Sequence, residues 1–421
     1  MRMTKSTDKI SFSVVGAGNR ADIYLSELQK VYPDKFIVNG VFDPSEQRRK
    51  YFQEKYNVAD ENLYSNGIDD FIKLKRISDV VIIATLDDKH FVPTIHALDN
   101  GYDVILEKPI SMTIEETVAI GEHAKKYPNQ LVAVCHVLRH APFFSEIKKI
   151  IDSNILGKPV AIQHNENVGY YHFAHSYVRG SWRNTDIAAP FIVAKSCHDL
   201  DILLYLIGKS SVRLSSMGAL NFFKKENKHY ENLKDFPYDA NKIYSGDLIK
   251  SVVFNKTTAD TLKADLKNSI YGRSVFECDN NVPDHQVTII EFEGLVHASF
   301  TLSAFTNGNY RSIKIMCELG EIRASQDINE IEIAPFGKEK TIINPKKYDS
   351  GHGGGDRGFM INFMESYLYN VPFDSNIEKS IESHVMAFAA EESRINLGKV
   401  ENIKDYYQKI VNKAKEEGLI K

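Results

Sequence analysis

The chain has 421 residues, of which 43% are hydrophobic and 26% charged, with a formal net charge of -4. That length exceeds what one small core organises, and domains of roughly 100–200 residues make two the natural division. The near-neutral charge and the absence of any run of about 18 apolar residues argue against a dedicated nucleic-acid binder and against a membrane-spanning protein.

The first element, Ile10 to Val15, is a short apolar run that reads as a buried parallel strand. It ends in Gly16-Ala17-Gly18-Asn19-Arg20-Ala21, a Gly-x-Gly-x-x-Ala turn. Gly16 allows the tight exit from the strand, Gly18 lets the backbone approach a pyrophosphate, and Ala21 lets the next helix pack close. The N–H groups opening that helix, read as Asp22 to Tyr32, would face the anion. A second strand, Phe36 to Phe42, ends in Asp43, placed to hold a ribose diol. The carboxylate favours NAD over NADP, and the neighbouring Arg48 and Arg49 keep NADP as the other candidate.

Strands at Asp79 to Thr85, Val104 to Leu106 and Leu131 to Val134 alternate with helices at Phe91 to Asn100 and Ile114 to Lys126. This is the pattern of a parallel sheet covered on both faces, a Rossmann-type α/β domain over residues 1–137. Glu107-Lys108-Pro109 follows a strand at the carboxyl edge of that sheet, where such folds bind ligands.

From residue 138 to 421 the pattern changes. A helix at Pro142 to Ser153 and a Gly157-Lys158-Pro159 turn lead into a strand from Val160. A loop over 165–183 then carries His172, His175, Tyr177, Arg179 and Trp182, the aromatic and hydrogen-bonding side chains a carbohydrate site needs. His172 and His175 lack a nearby carboxylate or cysteine to complete a metal set, so no metal is expected. A helix at Cys197 to Ile207 follows, and residues 212–343 read mainly as strands, with a polar surface excursion at Lys224 to Lys242. The glycine-rich segment Gly351-His352-Gly353-Gly354-Gly355-Asp356 precedes helices at Phe359 to Tyr369 and Ile377 to Leu397. Strands and helices without alternation give an α+β domain on an open, mainly antiparallel sheet.

Four cysteines, Cys135, Cys197, Cys278 and Cys317, form no Cys-x-x-Cys pair, and residues 1–9 lack the apolar core of a secretory signal. A reducing, cytoplasmic setting is the expectation.

Gly-Ala-Gly-Asn-Arg, Thr85-Leu86-Asp87-Asp88-Lys89-His90, Glu107-Lys108-Pro109, Leu156-Gly157-Lys158-Pro159-Val160 and the stretch Ala387 to Ser393 followed by Gly398 resemble the glucose-fructose oxidoreductase/inositol dehydrogenase (Gfo/Idh/MocA) family along nearly the whole chain. The resemblance implies a nicotinamide-dependent oxidoreductase acting on hydroxyls of sugars, cyclitols or polyols. It places Asn19, Arg20, Thr85, His90 and Glu107 beside Gly16, Gly18, Asp43 and Arg48 at the cofactor, and implies that Pro109 is cis. Lys108 would hydrogen-bond the reacting oxygen and hold the nicotinamide ribose, its ammonium stabilising alkoxide charge. His198, matching the family histidine that opens a helix, would be the general base, with Asp201 one turn on. The sequence departs from the family at Ala194, where an aspartate four residues before that histidine is usual. Lys195 is a candidate for part of that role, with His175, Tyr177, Arg179, Trp182 and His352 at the substrate. The departure keeps open an NAD-dependent glycosidase, which oxidises its sugar only transiently, and a catalytically silent nucleotide sensor. Family members pair through the outer face of the second sheet, so a homodimer or homotetramer is expected.

Overall fold

The computed structural model describes residues 9–232 and 270–420. Six strands near the start of the chain form one sheet in the order β3-β2-β1-β4-β5-β6. They are β1 (Ile10–Val15), β2 (Phe36–Phe42), β3 (Leu63–Tyr64), β4 (Val80–Ile83), β5 (Asp103–Leu106) and β6 (Val132–Val134). Every pairing is parallel. Parallel strands need crossovers, and α1 (Asn19–Val31), α2 (Glu46–Tyr56), α3 (Phe91–Asp99) and α4 (Ile114–Ala124) supply them. β4 and β5 are buried at every position, as a sheet covered on both faces requires. The strand order reverses beside β1, which opens a crevice at the carboxyl ends of β1 and β4.

After α5 (Pro142–Asp152), a nine-stranded sheet runs β14-β13-β12-β11-β7-β10-β9-β8-β15. Its long central members are β7 (Pro159–Val168), β8 (Ser211–Ala219), β9 (His285–Phe292), β10 (Val296–Ser303) and β11 (Asn309–Cys317). β12 (Gly320–Ser325), β13 (Glu330–Pro335), β14 (Thr341–Ile343) and β15 (Glu401–Asn402) extend it. Only the β7/β10 pairing is parallel. Alternate residues of β9 and β10 are buried, so one face packs on helices and the other stands open. Helix α6 (Phe191–Ile207) lies on the covered face, together with α8 (Ile377–Ile395).

The chain then returns to the first sheet. Helix α7 (Gly355–Tyr369) packs on α1, its Phe363 ring 6.3 Å from Phe12 and its Phe359 ring 5.8 Å from Tyr24. The core of the first sheet is therefore closed by residues from the far end of the sequence. Ser375 accepts the Val134 N–H on its carbonyl at 2.8 Å, which fixes the chain entering α8 against β6. The last helix, α9 (Ile403–Glu416), covers α4.

Four sequence expectations need correction. Helix α1 begins at Asn19 rather than Asp22, because Gly18, with extended backbone and no side-chain cap, turns the chain directly into the helix. Helix α6 begins at Phe191 rather than Cys197: Phe191-Ile192-Val193-Ala194 has no polar cap and reads as apolar filler, yet all four residues are buried in the first turn. His198 thus lies inside the helix and does not open it. The expected loop over 165–183 is the end of β7 followed by a helical turn, Tyr170–Phe173, and a wide π-type turn, Ala174–Arg179. Helix α7 starts at Gly355, not Phe359. Of the excursion expected at Lys224 to Lys242, Lys225–Asn232 forms 3-10 turns and residues 233–242 lie outside the described residues.

Candidate active site

The turn after β1 has the form of a diphosphate cradle. Gly16 sits at φ 90°, where an added Cβ would lie 2.7 Å from the Ala84 carbonyl oxygen, so only glycine fits. Above Gly18 a Cβ would meet nothing within 4 Å, which leaves the backbone open to a ligand. Asn19, exposed, takes the first helical position. Asp43, buried at the end of β2, accepts the Ala17 N–H at 2.9 Å and the Ser45 N–H at 2.8 Å, so it shapes the turn it faces. Arg48 lies 3.7 Å from the same carboxylate, and Arg49 donates to the Asp43 carbonyl at 2.6 Å. The Thr85 hydroxyl oxygen is buried without a hydrogen-bond partner among the described residues, a group waiting for one from outside. These features fit a dinucleotide, with Gly16, Gly18, Asp43 and Thr85 placed to hold it.

The carboxyl edge of β5 carries the next group. Glu107 is buried and accepts from the Arg20 Nε at 2.6 Å, from the Tyr24 hydroxyl and from the Lys108 N–H at 2.8 Å. Burial alone would raise its carboxyl, yet the Arg20 and Lys108 charges outweigh it and hold Glu107 ionised. The Lys108–Pro109 peptide is cis, as expected. His90 completes this corner, its Nδ1 donating to the Pro109 carbonyl at 2.8 Å. From there Lys108 crosses to the second domain and its Nζ donates to the Ala194 carbonyl of α6 at 2.8 Å. The position that lacks the family aspartate thus still meets the lysine, through its backbone.

Helix α6 presents Lys195 and His198 on successive turns. Lys195 forms an ion pair with buried Glu166 at 2.9 Å, and Glu166 in turn pairs with Arg311 at 2.8 Å. Arg311 also donates its Nε to Asp199 at 2.7 Å, and His164 closes the set 2.9 Å from Asp199. Burial lowers the Lys195 amine against the pull of Glu166, and the Arg311 and Lys108 charges add to the lowering. Asp201 does not assist His198 directly; both its oxygens take Arg139, at 2.6 Å each. Trp182 donates its indole N–H to buried Asp87 at 2.9 Å, and burial raises the Asp87 carboxyl. Tyr177 lies beneath, its ring 4.4 Å from Phe191, and burial pushes its hydroxyl well up. His175 and Arg179 are drawn elsewhere: His175 stacks on Tyr271 at 4.6 Å and the Arg179 Nε donates to the Arg273 carbonyl at 2.8 Å. Lys108, Lys195, His198 and His352 therefore lie near one another, Trp182 joins this corner through Asp87, and Tyr177 is packed in the core beside Phe191, whereas His175 and Arg179 brace residues 270–273.

Sequence reasoning missed a row of imidazoles. His384, His136, His198 and His352 follow one another with ring centroids 5.3, 5.6 and 5.6 Å apart. His136 comes from the edge of β6 and His384 from α8, some 250 residues away, so no local spacing announces them. His384 is fixed in one tautomer, its Nδ1 donating to the Ser380 carbonyl at 2.9 Å and its Nε2 accepting the Ile110 N–H at 3.0 Å. Burial lowers His136 and His198 well below the ordinary histidine value, and the Lys108 charge adds to both. His198 is consequently a neutral imidazole, able to accept a proton. Its Nδ1 is buried without a partner among the described residues.

Two family models match the chain: an oxidoreductase family NAD-binding Rossmann fold over residues 10–136 and an oxidoreductase family C-terminal alpha/beta domain over residues 148–401. The Bacillus subtilis (strain 168) protein YteT, an oxidoreductase by name, is 24% identical over 375 residues, covering 81% of this chain and 85% of its own. The scyllo-inositol 2-dehydrogenase (NAD(+)) of the same organism is 29% identical over 150 residues, 34% of this chain and 39% of its own. A crystal structure of an inositol dehydrogenase homolog from Azotobacter vinelandii, complexed with NAD+, superposes with a TM-score of 0.67 at 14% identity, over 95% of this chain and 98% of that one.

Proposed function

The chain belongs to the Gfo/Idh/MocA family of NAD-binding oxidoreductases, and within it we propose a dehydrogenase that exchanges hydride between NAD and a hydroxyl-bearing carbon of a sugar, sugar derivative or polyol. The observation that carries this reading is the contact of Lys108 with α6 at Ala194, one turn before His198, at the carboxyl edge of the dinucleotide sheet. When bound, NAD supplies the hydride acceptor. Lys108 steadies the reacting oxygen, and His198 takes the hydroxyl proton as the carbon is oxidised. Lys195 holds Glu166 and turns a second cation towards the same space. Trp182 offers its ring to sugar C–H groups, and His352 reaches the site beside His198.

One observation favours a second reading, the NAD-dependent glycosidase. His352 and Asp356 place a second acid–base group next to His198, which transient oxidation followed by elimination would use. A panel of sugars, polyols and aryl glycosides, with cofactor absorbance and leaving group followed together, separates the two. A dehydrogenase accumulates NADH, a glycosidase releases the aglycone without net cofactor change, and a silent sensor does neither.

A further inference from the structure

His198 is 3% exposed, so a proton it accepts has no direct path to water. Its neighbour His352 keeps 32% of its side chain accessible. His352 also sits at φ 53°, a left-handed conformation unusual for a residue with a Cβ, between Gly351 and the left-handed Gly353 and Gly354. Strain of that kind persists only where the surroundings hold it, and it gathers at working residues. Asp356 holds it here: both its oxygens lie 3.2 Å from the His352 Nδ1, and Arg20 fixes the far side of the carboxylate at 2.7 Å. With Nδ1–H committed to Asp356, the other ring nitrogen is the acceptor.

We propose that His352, positioned by Asp356, is the proton outlet of the site, passing the proton of the reacting hydroxyl from His198 to solvent. The inference rests on the dehydrogenase reading. The substrate O–H bond breaks and its proton goes to His198, while the hydride leaves the carbon for NAD, which is reduced. The His198 imidazolium then gives its proton to the free ring nitrogen of His352, directly or through one water, and His352 releases it to bulk water. Both imidazoles end neutral. Asp356 stays ionised throughout, because His352 and Arg20 outweigh the effect of its burial. The charges that bear on His352 are Asp356, Arg20, Lys108 and His198. Arg139 and His140, on the packed turn Val137–His140, are engaged by Asp201 and Ser375, and the charged pairs Lys148–Asp152 and Lys149–Glu146 of α5 each include one exposed and one half-buried side chain.

The test uses the full chain with NAD and a substrate found in the panel. His352→Gln, which leaves the Arg20–Asp356 pair in place, is expected to lower kcat about 10-fold or more with KM nearly unchanged and single-turnover hydride transfer intact. Added imidazole buffer restores kcat in proportion to its concentration, a rescue that a structural role would not give. Asp356→Asn reproduces the buffer dependence in weaker form. A His352→Gln protein with wild-type kcat at every buffer concentration overturns the relay while leaving the dehydrogenase reading intact. If the wild-type protein forms no NADH with any substrate, that reading fails on its own, and NMR titration of labelled histidines still judges the pair. The relay expects His352→Gln to raise the pKa of His198, because the two rings no longer compete for one proton; independent titration overturns it.

Discussion

At the residue scale the proposed chemistry turns on Lys108. Its ammonium is pinned by a backbone carbonyl at Ala194, whereas the family pattern supplies a carboxylate four residues before the histidine. A carbonyl fixes the amine without bringing a counter-charge to it. Lys108→Met, which keeps the stem but removes the donor, is expected to lower kcat by about 10²–10³-fold, the usual loss for one oxyanion donor. Circular dichroism and thermal unfolding should be near wild type, since the amine's partner at Ala194 is a helix carbonyl that keeps its place in α6. Steady-state NADH formation is the measurement, and turnover within a few-fold of wild type would rule Lys108 out as the oxygen's partner. The candidate cofactor residues are readable for a local reason: Gly16, Gly18 and Asp43 lie on consecutive elements whose order is fixed by a βαβ unit.

At the element scale α6 depends on charges buried beneath it. Asp199 and Lys195 of the helix meet Glu166 of β7 and Arg311 of β11, two carboxylates against two cations. Burial alone would depress Arg311, but Asp199 and Glu166 reverse this and hold it charged. Removing Arg311 leaves Asp199 and Glu166 short of a counter-charge, and breaking a buried pair typically costs about 3–5 kcal/mol. Arg311→Met is therefore expected to lower stability by that amount in urea unfolding, with an unchanged denaturant slope. A loss below about 1 kcal/mol would mean that water reaches the cluster and screens it. This network also shows where the sequence stopped being readable. Glu166 stood in view within an aromatic stretch taken for a loop, but the residue that orders it, Arg311, is 145 positions on and joins it only through the β7/β11 pairing. The start of α6 was hidden differently: β-branched Ile192 and Val193 argue against a helix locally, and burial on all sides overrides that preference. Strands with clean alternation, such as β9 and β10, are legible as strands because one face is buried and the other open.

For the whole molecule, titratable groups join the two halves. Arg20 of the nucleotide turn reaches Asp356 of α7, Lys108 reaches α6, and His136 of the first sheet's edge packs between His198 and His384. Folding thus shuts several imidazoles into the seam in their neutral form. Burial is the first cause in each case, lowering His136 and His198 well below the ordinary range, His140 to about 4 and His384 to about 3. In the unfolded chain the same residues titrate near about 6.5. Below that pH the unfolded state binds protons that the folded state refuses, so stability is full above about 6.5 and falls as the pH drops towards the folded values. Carboxylates with lowered values, such as Asp356 and Glu107, act in the same direction but only at lower pH, as they approach their own unfolded values near about 4. Each refused proton is worth about 1.4 kcal/mol per pH unit. Urea unfolding between pH 7.5 and 5 should therefore show a steep loss of stability that begins at about pH 6.5, before the carboxylates with lowered values contribute. Replacing one member, His384→Gln, should reduce the slope by about one proton's worth even though it lowers stability at pH 7.5, because Gln cannot take up a proton in the unfolded chain. A stability flat from pH 7.5 to 5 would mean that the seam opens enough for the imidazoles to charge in place, and that the two halves are held by packing on α7 rather than by this closed row of rings.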